Sequence, residues 1–211
     1  MINRDIGYSL WLDFIERDFL KTQFPQLIEK GIINGATSNP AIFSNAIISS
    51  PAYKEQLATL KDKTPKEKYE ALAIEDIKLA AQILRPLYDI GNDGYISLEV
   101  DPTLAKDTKA TVAEAKRLFK AVGEPNVMMK VPATKAGFSA MRQLLGTGIS
   151  VNATLVFSLS QARKCLKAMK RGLAVFENSG GRRAEGVISI FVSRFDRELD
   201  EKLATFGISG S

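Results

Sequence analysis

Short apolar runs alternate with longer amphipathic stretches along the chain, and this alternation constrains the fold more than any other feature. The runs are SLWLDFI (9–15), NGATSN (34–39), GYISLEV (94–100), NVMMKVP (126–132), GISVNATLVF (148–157) and GVISIFV (186–192). Runs of this length and composition are typical of buried strands. Strands that alternate with helices indicate a parallel sheet covered by helices, either a barrel or a doubly wound sheet.

Helix start signals support the stretches between the runs. Thr64-Pro65-Lys66-Glu67 predicts a capping box with proline at the first helical position. Ser158 with Gln161 predicts a second box directly after the fifth run. No G-x-G-x-x-G or G-x-x-x-x-G-K-[ST] motif follows a predicted strand, which argues against a nucleotide-binding fold. Without an internal repeat or a low-complexity linker, we expect residues 1–211 to form a single domain.

Polar side chains fall on one face of the predicted strands, because successive strand residues point to opposite sides. A doubly wound sheet buries both faces under helices, so one polar face is unexpected there. A closed barrel accepts such a face in its interior, and barrel active sites lie at the carboxyl ends of the strands. We therefore predict an α/β barrel of the TIM type. The inward set is Ser97, Glu99, Lys130, Ser150, Asn152 and Thr154.

The absence of histidine restricts the chemistry further. It excludes Ser-His-Asp and Cys-His triads and most zinc sites, and leaves proton transfer to carboxylates, lysine, tyrosine or water. A formal net charge of +5 suits anionic ligands such as sugar phosphates. The single cysteine, Cys165, excludes an internal disulfide and fits a reducing compartment. Its spacing to Lys164 and Lys167 indicates a helix surface.

Two features predict a cytoplasmic protein. No stretch approaches the roughly 18 consecutive apolar residues that a membrane-spanning helix needs. The N-terminus, MINRDIGYSLWLDF, carries acidic residues where a signal peptide has a basic start and a long apolar core. We therefore expect no membrane partner.

A lysine inside a barrel has a chemical use that needs no cofactor. Partial desolvation favours the neutral form of a buried amine, and a neutral amine can attack a carbonyl group to form a Schiff base. The protonated imine then acts as an electron sink, so a neighbouring C–C bond can break. In a chain without histidine, the proton transfers would be carried by Glu99 and Asp13.

Structural interpretations of the same residues stay open. Lys130 and Glu99 could form a buried ion pair, Asn152 and Thr154 could be hydrogen-bonding core residues, and Asn39-Pro40 could be only a turn and a helix start.

A nucleic-acid-binding protein is a further alternative, because basic residues cluster on one helix and one loop. These residues lack interleaved aromatic side chains, so a solvated surface is the favoured interpretation and no nucleic-acid partner is expected. The cluster contains Lys167, Lys170, Arg171, Arg182 and Arg183.

Taken together, the runs resemble one known family. The stretches SLWLDFI, GATSNPAIF, GYISLEVDPTLAKDT, NVMMKVPATKAG, GISVNATLVFSLSQAR and VISIFVSRFD are similar to transaldolases of the long bacterial type, from about residue 9 to 200. The resemblance implies a (β/α)8 barrel of the pentose phosphate pathway, with no cofactor or metal. Such an enzyme transfers a dihydroxyacetone unit from sedoheptulose 7-phosphate or fructose 6-phosphate to glyceraldehyde 3-phosphate or erythrose 4-phosphate. A homodimer is compatible with the resemblance.

The resemblance also implies individual roles. Lys130 would be the Schiff-base lysine, and Asp13 would be the base on the hydroxyl whose deprotonation starts C–C cleavage. Glu99, with Thr154, would hold a water that carries protons during imine formation. The substrate-binding positions would be Asn39 and Asn152 for hydroxyls of the dihydroxyacetone portion, Ser189 and Arg194 for the phosphate, and Phe191 at a position where related aldolases often carry tyrosine.

The sequence departs from the family at its C-terminal end. The family barrel has two more strand–helix units after RFDREL, whereas this sequence stops at ATFGISGS. Related short aldolases complete eight strands, but their Schiff-base lysine comes much earlier in the chain. We therefore expect a C-terminally incomplete barrel of about six units. The alternative functions are a related Schiff-base aldolase of the fructose 6-phosphate type and an inactive fragment.

Overall fold

The computed structural model describes residues 7–181 and 183–207, and its strands form one parallel sheet in chain order. Sequential order without a reversal distinguishes this sheet from a doubly wound one, in which the strand order reverses at a switch point. The fold is of the (β/α)8-barrel type, with six strand–helix units in the described part. The strands are β1 (Trp11–Leu12), β2 (Gly35–Thr37), β3 (Ile96–Glu99), β4 (Val127–Pro132), β5 (Val151–Val156) and β6 (Gly186–Ile190).

Helices follow each strand and cover the outer face of most of the sheet. Short 3₁₀ segments, Pro51–Tyr53 and Pro102–Leu104, add to them. Within the described ranges, no helix is both long and apolar enough to cross a bilayer. The helices are α1 (Arg17–Glu29), α2 (Pro40–Ser49), α3 (Lys54–Thr59), α4 (Pro65–Asp89), α5 (Thr108–Val122), α6 (Lys135–Gly146), α7 (Leu159–Asn178) and α8 (Val192–Thr205).

One of the two predicted capping boxes is confirmed in full. At the start of α4, the Thr64 side chain accepts from the Glu67 N–H, and the Glu67 carboxylate accepts from the Thr64 N–H over 2.8 Å. At the start of α7, Ser158 Oγ accepts from the Gln161 N–H over 3.1 Å. The return bond of the box is missing there, because Gln161 Oε1 accepts from the Phe157 N–H instead, over 2.9 Å.

The strands are shorter than the apolar runs suggest, except for the fourth. β4 covers 127–132 of the predicted 126–132, whereas only Trp11–Leu12 of the first run pairs as strand. β6 ends at Ile190, and α8 begins at Val192, which the sequence assigned to the strand.

β5 contains an irregularity at its carboxyl end. The register against β6 shifts between Ala153 and Val156, and Leu155 has φ 56°, in the left-handed region that a branched side chain rarely occupies. A bulge of this kind bends a strand and re-aims the neighbouring side chains. The bulge immediately follows Thr154, one of the predicted site residues.

The outward face of the sheet forms the core with the helices, as the strand alternation predicts. Ile96, Val127, Met129, Val151 and Ala153 each have 0% of their surface exposed and belong to one apolar cluster. The inward residues between them are polar, or belong to a smaller cluster near the amino ends of the strands.

The surface interpretation of Cys165 is wrong. Cys165 is fully buried in the core, and burial raises the pKa of its thiol to about 11. Small residues let α7 approach α6 closely at this point. A Cβ at Gly172 would meet the Arg142 carbonyl oxygen at 2.6 Å. Lys164 and Lys167 flank a narrow buried stripe of α7 that consists of Cys165, Ala168, Met169 and Gly172.

One side of the sheet is open in the described ranges. There β1 pairs only with β2, and β6 pairs only with β5. Helix α8 beside this edge exposes apolar side chains, including Val192 at 62%, Phe195 at 38% and Leu199 at 47%. Unpaired strand edges and exposed apolar faces of this kind favour association with further polypeptide.

Candidate active site

Lys130 projects from β4 into the interior of the curved sheet. Its side chain is buried, with the residue only 4% exposed. The Nζ atom donates to the main-chain oxygen of Ser38 over 3.0 Å and to Thr37 Oγ1 over 3.2 Å. Thr37 belongs to β2, and β3 lies between β2 and β4. The amine therefore crosses the interior and is held by neutral oxygen acceptors at the carboxyl end of β2.

Glu99 is the register neighbour of Lys130 across the β3–β4 ladder. Among the described ion pairs none joins these two residues, so the buried-ion-pair interpretation is wrong. Burial raises the pKa of the Glu99 carboxyl, and the charge of Asp13 raises it further, against an opposing effect of Lys130. Glu99 is thus a carboxyl group that holds its proton more readily than usual, beside a lysine.

Asp13 and Asn39 meet at the carboxyl ends of β1 and β2. Asn39 caps α2, because its Oδ1 accepts from the Ile42 N–H over 2.9 Å. Its Nδ2 donates to Asp13 Oδ1 over 3.4 Å. The helix-start interpretation of Asn39 is therefore confirmed, and the same residue also contacts the predicted base. Asp13 is exposed to solvent.

Asn152 is the centre of a polar chain across the interior. Its Nδ2 donates to Ser97 Oγ over 2.9 Å, and its Oδ1 accepts from Ser189 Oγ over 2.7 Å. Asn152 is 1% exposed, so the core-hydrogen-bond interpretation is confirmed for it. Thr154 is equally buried, but in the described part of the chain no hydrogen bond of its hydroxyl is found. That hydroxyl is available to a water or a substrate.

The remaining predicted substrate contacts lie at the open edge. Phe191 stands between β6 and α8, and its ring centroid lies 5.9 Å from that of Phe157. Arg194 is exposed in the first turn of α8. None of the described side-chain contacts links Arg194 to Ser189 or to another predicted site residue. The structure thus brings together the lysine, the carboxylates, the amides and Ser189, but leaves Arg194 apart from them.

Thr37 and Ser38 are site residues that the sequence analysis missed, although they hold the amine of Lys130. The run NGATSN contains the signal, since the alternation that turns Gly35 inward also turns Thr37 inward. A Cβ at Gly35 would meet the Trp11 ring at 2.7 Å, which shows that this face of β2 is the crowded interior.

The basic cluster considered for nucleic-acid binding is dispersed. Lys167, Lys170 and Arg171 are exposed on α7. The guanidinium of Arg183 lies 3.6 Å from the ring centroid of Tyr88, a cation–π contact at the amino ends of the strands. Arg182 lies outside the described residues.

Two cavities approach this interior from different sides. The larger, about 1060 Å³, opens at the amino ends of the strands and reaches Thr37, Asn152 and Ser189. The smaller, about 180 Å³, lies behind β3 and is lined by Glu99 and Tyr69. Burial and the nearby charge of Glu99 raise the pKa of Tyr69 to about 12. Lys130 and Asp13 line neither of these two cavities.

The raised pKa of Glu99 predicts a pH-dependent stability difference. A carboxyl group whose pKa is higher in the folded state favours folding fully below its unfolded pKa, and this contribution is lost as pH rises through the folded pKa. We therefore expect Glu99→Gln to have a higher melting temperature than wild type at pH 7, with the difference vanishing below about pH 4. The measurement is thermal unfolding across this range, with exposed Glu55→Gln as the control. A lower melting temperature for Glu99→Gln at pH 7 would contradict it.

Comparison with known proteins places the chain in a family. The model of the transaldolase/fructose-6-phosphate aldolase family matches residues 10–208. A transaldolase of Campylobacter jejuni (strain RM1221) is 52% identical over 203 residues, which cover 93% of this chain and 62% of the relative. A transaldolase of Helicobacter pylori (strain Shi470) is 51% identical over 194 residues, or 92% of this chain and 58% of the relative. The chain thus spans about 60% of the length of these curated relatives. It belongs to the transaldolase/fructose-6-phosphate aldolase family.

Proposed function

We propose that the chain carries the catalytic residues of a transaldolase that acts on sugar phosphates. The observation that carries this proposal is the buried amine of Lys130, which is held by neutral oxygens beside Glu99 rather than neutralised by a carboxylate. A lysine that is paired with a carboxylate would be committed to a structural role. A lysine held by neutral oxygens can reach a carbonyl carbon from the interior of the barrel.

The reaction divides into steps that these residues can perform. The amine of Lys130 attacks the keto carbon of the ketose phosphate, and the resulting carbinolamine loses water to give a protonated imine. Glu99, with a water held at the Thr154 hydroxyl, supplies and removes the protons of this dehydration. Asp13 then takes the proton of the hydroxyl on C4, the C3–C4 bond breaks, and its electron pair moves into the imine to give an enamine. The aldose phosphate leaves.

The second half of the reaction reverses these steps with another aldehyde. The enamine attacks the carbonyl carbon of the acceptor aldose phosphate, Asp13 returns its proton to the new hydroxyl, and hydrolysis of the imine frees Lys130. Asn39 and Asn152 would bind the hydroxyls of the dihydroxyacetone portion, and Ser189 with Arg194 would bind the phosphate. Arg194 must approach the site in the substrate complex for that role.

The setting of the reaction is also a proposal. We infer a cytoplasmic enzyme of the pentose phosphate pathway, because its single cysteine is a buried core residue and its family acts on sugar phosphates. A homodimer, which the membership of the family allows, is part of the same proposal.

The direct test is a transfer assay. Fructose 6-phosphate and erythrose 4-phosphate are supplied together, and glyceraldehyde 3-phosphate and sedoheptulose 7-phosphate are measured. We expect the two products in equal amounts, with little free dihydroxyacetone when the acceptor is left out. Release of dihydroxyacetone at the same rate without an acceptor would support the fructose 6-phosphate aldolase alternative. A folded protein that makes neither product would contradict both.

Phe191 predicts how the balance between these reactions can be changed. Phenylalanine has no hydroxyl group that could activate a water by hydrogen bonding. The enamine is therefore not protonated before an acceptor aldehyde reacts with it. We expect Phe191→Tyr to raise the ratio of dihydroxyacetone release to transfer by about tenfold, a fraction of the roughly 10²- to 10⁴-fold that a fully positioned proton-transfer group contributes. Phe206→Tyr, on a 79% exposed residue, is the control. An unchanged ratio in Phe191→Tyr would show that Phe191 does not control this step.

A further inference from the structure

A buried polar network ties the loop between β1 and α1 to α4. Arg17 Nε donates to Asp76 Oδ1 over 2.8 Å, and the Tyr53 hydroxyl donates to Asp76 Oδ2 over 2.8 Å. The main-chain N–H of Arg17 donates to the same Tyr53 hydroxyl over 3.0 Å. Asp76 and Tyr53 are 0% exposed, and Arg17 is 7% exposed. One hydroxyl therefore connects the first residue of α1, the segment after α2, and the middle of α4.

A second link lies one residue earlier. Glu16 Oε2 accepts from the Phe19 N–H over 2.8 Å and so caps α1, while Oε1 accepts from Ser50 Oγ over 2.6 Å. Burial alone would raise the pKa of Glu16, but these hydrogen bonds outweigh it and lower the pKa. The cap therefore stays ionised and bound at neutral pH. We call the set Glu16, Arg17, Ser50, Tyr53 and Asp76 the clamp.

The clamp is more than the fold requires at this point. Buried ion pairs contribute little to stability compared with apolar residues of the same volume, because both charges lose their hydration. Burial raises the pKa of Asp76 even against the opposing bonds from Arg17 and Tyr53. Within the described residues, Arg17 Nη2 has no hydrogen-bond partner. What such a network does supply is a unique geometry, because each bond restricts both distance and angle.

The element that most needs such restriction is the loop that carries Asp13. β1 has only two paired residues, and Asp13 follows them directly. Its one described hydrogen bond is a 3.4 Å contact from Asn39. Asn39 starts α2, and the segment after α2 supplies Ser50 and Tyr53 to the clamp. The clamp therefore fixes the far end of the Asp13 loop and the far end of the helix that begins at Asn39.

We propose that the clamp is a positioning device that holds the carboxylate of Asp13 for C–C bond cleavage. This inference rests on the proposed function, in which Asp13 takes the proton that starts cleavage. Lys130 lies on β4 and is held by Thr37 and Ser38, outside the clamp. Loosening the clamp therefore slows cleavage and leaves imine formation unchanged.

The test separates imine formation from C–C cleavage, because both can be followed through the adducts on the side chain of Lys130. Borohydride reduction of the protein with fructose 6-phosphate leaves either a six-carbon phosphate adduct on Lys130, from before cleavage, or a three-carbon adduct, from after it. In Tyr53→Phe we expect the ratio of six-carbon to three-carbon adduct at early times to rise at least about tenfold, since a misplacement near 1 Å costs up to about a hundredfold in rate. Only folded molecules are trapped, so the ratio is independent of any loss of stability.

Two further variants make the test more specific to the clamp. Asp76→Asn removes the charge but keeps the shape, and its ratio rises in the same direction. Tyr95→Phe is the matched control, because Tyr95 is also buried, at 1% exposure, but lies just before β3 at the amino end of the sheet. Its ratio stays at the wild-type value. An unchanged ratio in Tyr53→Phe, or an equal rise in Tyr95→Phe, overturns the proposal.

Amide hydrogen exchange tests the clamp without any reaction. In Tyr53→Phe, the amides of residues 13–15 exchange at least about fivefold faster than in wild type, whereas those of α6 do not change. If the wild-type protein forms no adduct, the proposed function fails, and the exchange rates alone decide whether the clamp restrains the loop. Wild-type exchange rates at residues 13–15 in Tyr53→Phe overturn the clamp whatever the activity.

Discussion

Lys130→Met is expected to abolish the covalent adduct and all transfer activity. Methionine keeps the length and the apolar part of the side chain but has no amine, so no imine can form. The loss should exceed the effect of any other single substitution, because the covalent intermediate disappears rather than becoming slower to form. The measurement is borohydride reduction in the presence of fructose 6-phosphate, followed by mass analysis of the peptide that contains residue 130.

The control for this variant must separate lost chemistry from lost structure. Methionine leaves the Ser38 carbonyl and the Thr37 hydroxyl without the donor that they have in wild type, at a cost of about 1–3 kcal/mol. Thermal unfolding of Lys130→Met shows whether the fold survives this. Lys116→Met, on an exposed position of α5, is the matched substitution and should form the adduct normally. An adduct that persists in folded Lys130→Met would place the reactive amine on another lysine.

The direction of Lys130 could be predicted from sequence, because it depends only on strand alternation. The run NVMMKVP sets apolar residues against a single lysine, and the β4 bounds differ from the prediction by one residue. Its hydrogen-bond partners could not be predicted in the same way. Its register neighbours in the ladder are Glu99 and Asn152, yet the amine contacts Thr37 on β2.

Barrel geometry explains that difference. Neighbouring strands are staggered, so that inward side chains at one level come from alternate strands. Lys130 on β4 therefore reaches Thr37 on β2, and Asn152 on β5 reaches Ser97 on β3. The alternation within one strand identifies its inward face, but the level of each residue depends on the curvature of the whole sheet.

The clamp and Cys165 show a second limit of prediction from the sequence. Nothing near Arg17 in the sequence indicates that its partner is Asp76, which lies 59 positions later. At Cys165, the flanking lysines suggested exposure, whereas the buried stripe continues through Met169 and Gly172. In both places the deciding factor is the distance between two helices, which local periodicity does not contain.

Glu99→Gln and Asp13→Asn are expected to stop the reaction at different steps. Glutamine at position 99 cannot carry a proton, so formation of the imine slows by about 10²- to 10⁴-fold, the usual contribution of a general acid–base group. Asparagine at position 13 leaves imine formation intact and slows C–C cleavage by a similar factor. The two variants should therefore have equally poor transfer activity but opposite trapping behaviour.

The measurement is the time course of borohydride-trapped adduct with fructose 6-phosphate. Asp13→Asn accumulates the six-carbon adduct at the wild-type rate, whereas Glu99→Gln accumulates any adduct slowly. Asp62→Asn and Glu55→Gln change exposed carboxylates and provide the matched controls. If the six-carbon adduct accumulates in Glu99→Gln and not in Asp13→Asn, the two roles are exchanged. The raised pKa of Glu99 favours it as the proton carrier, because a carboxyl group that binds its proton more firmly than usual can both supply and remove a proton during imine formation.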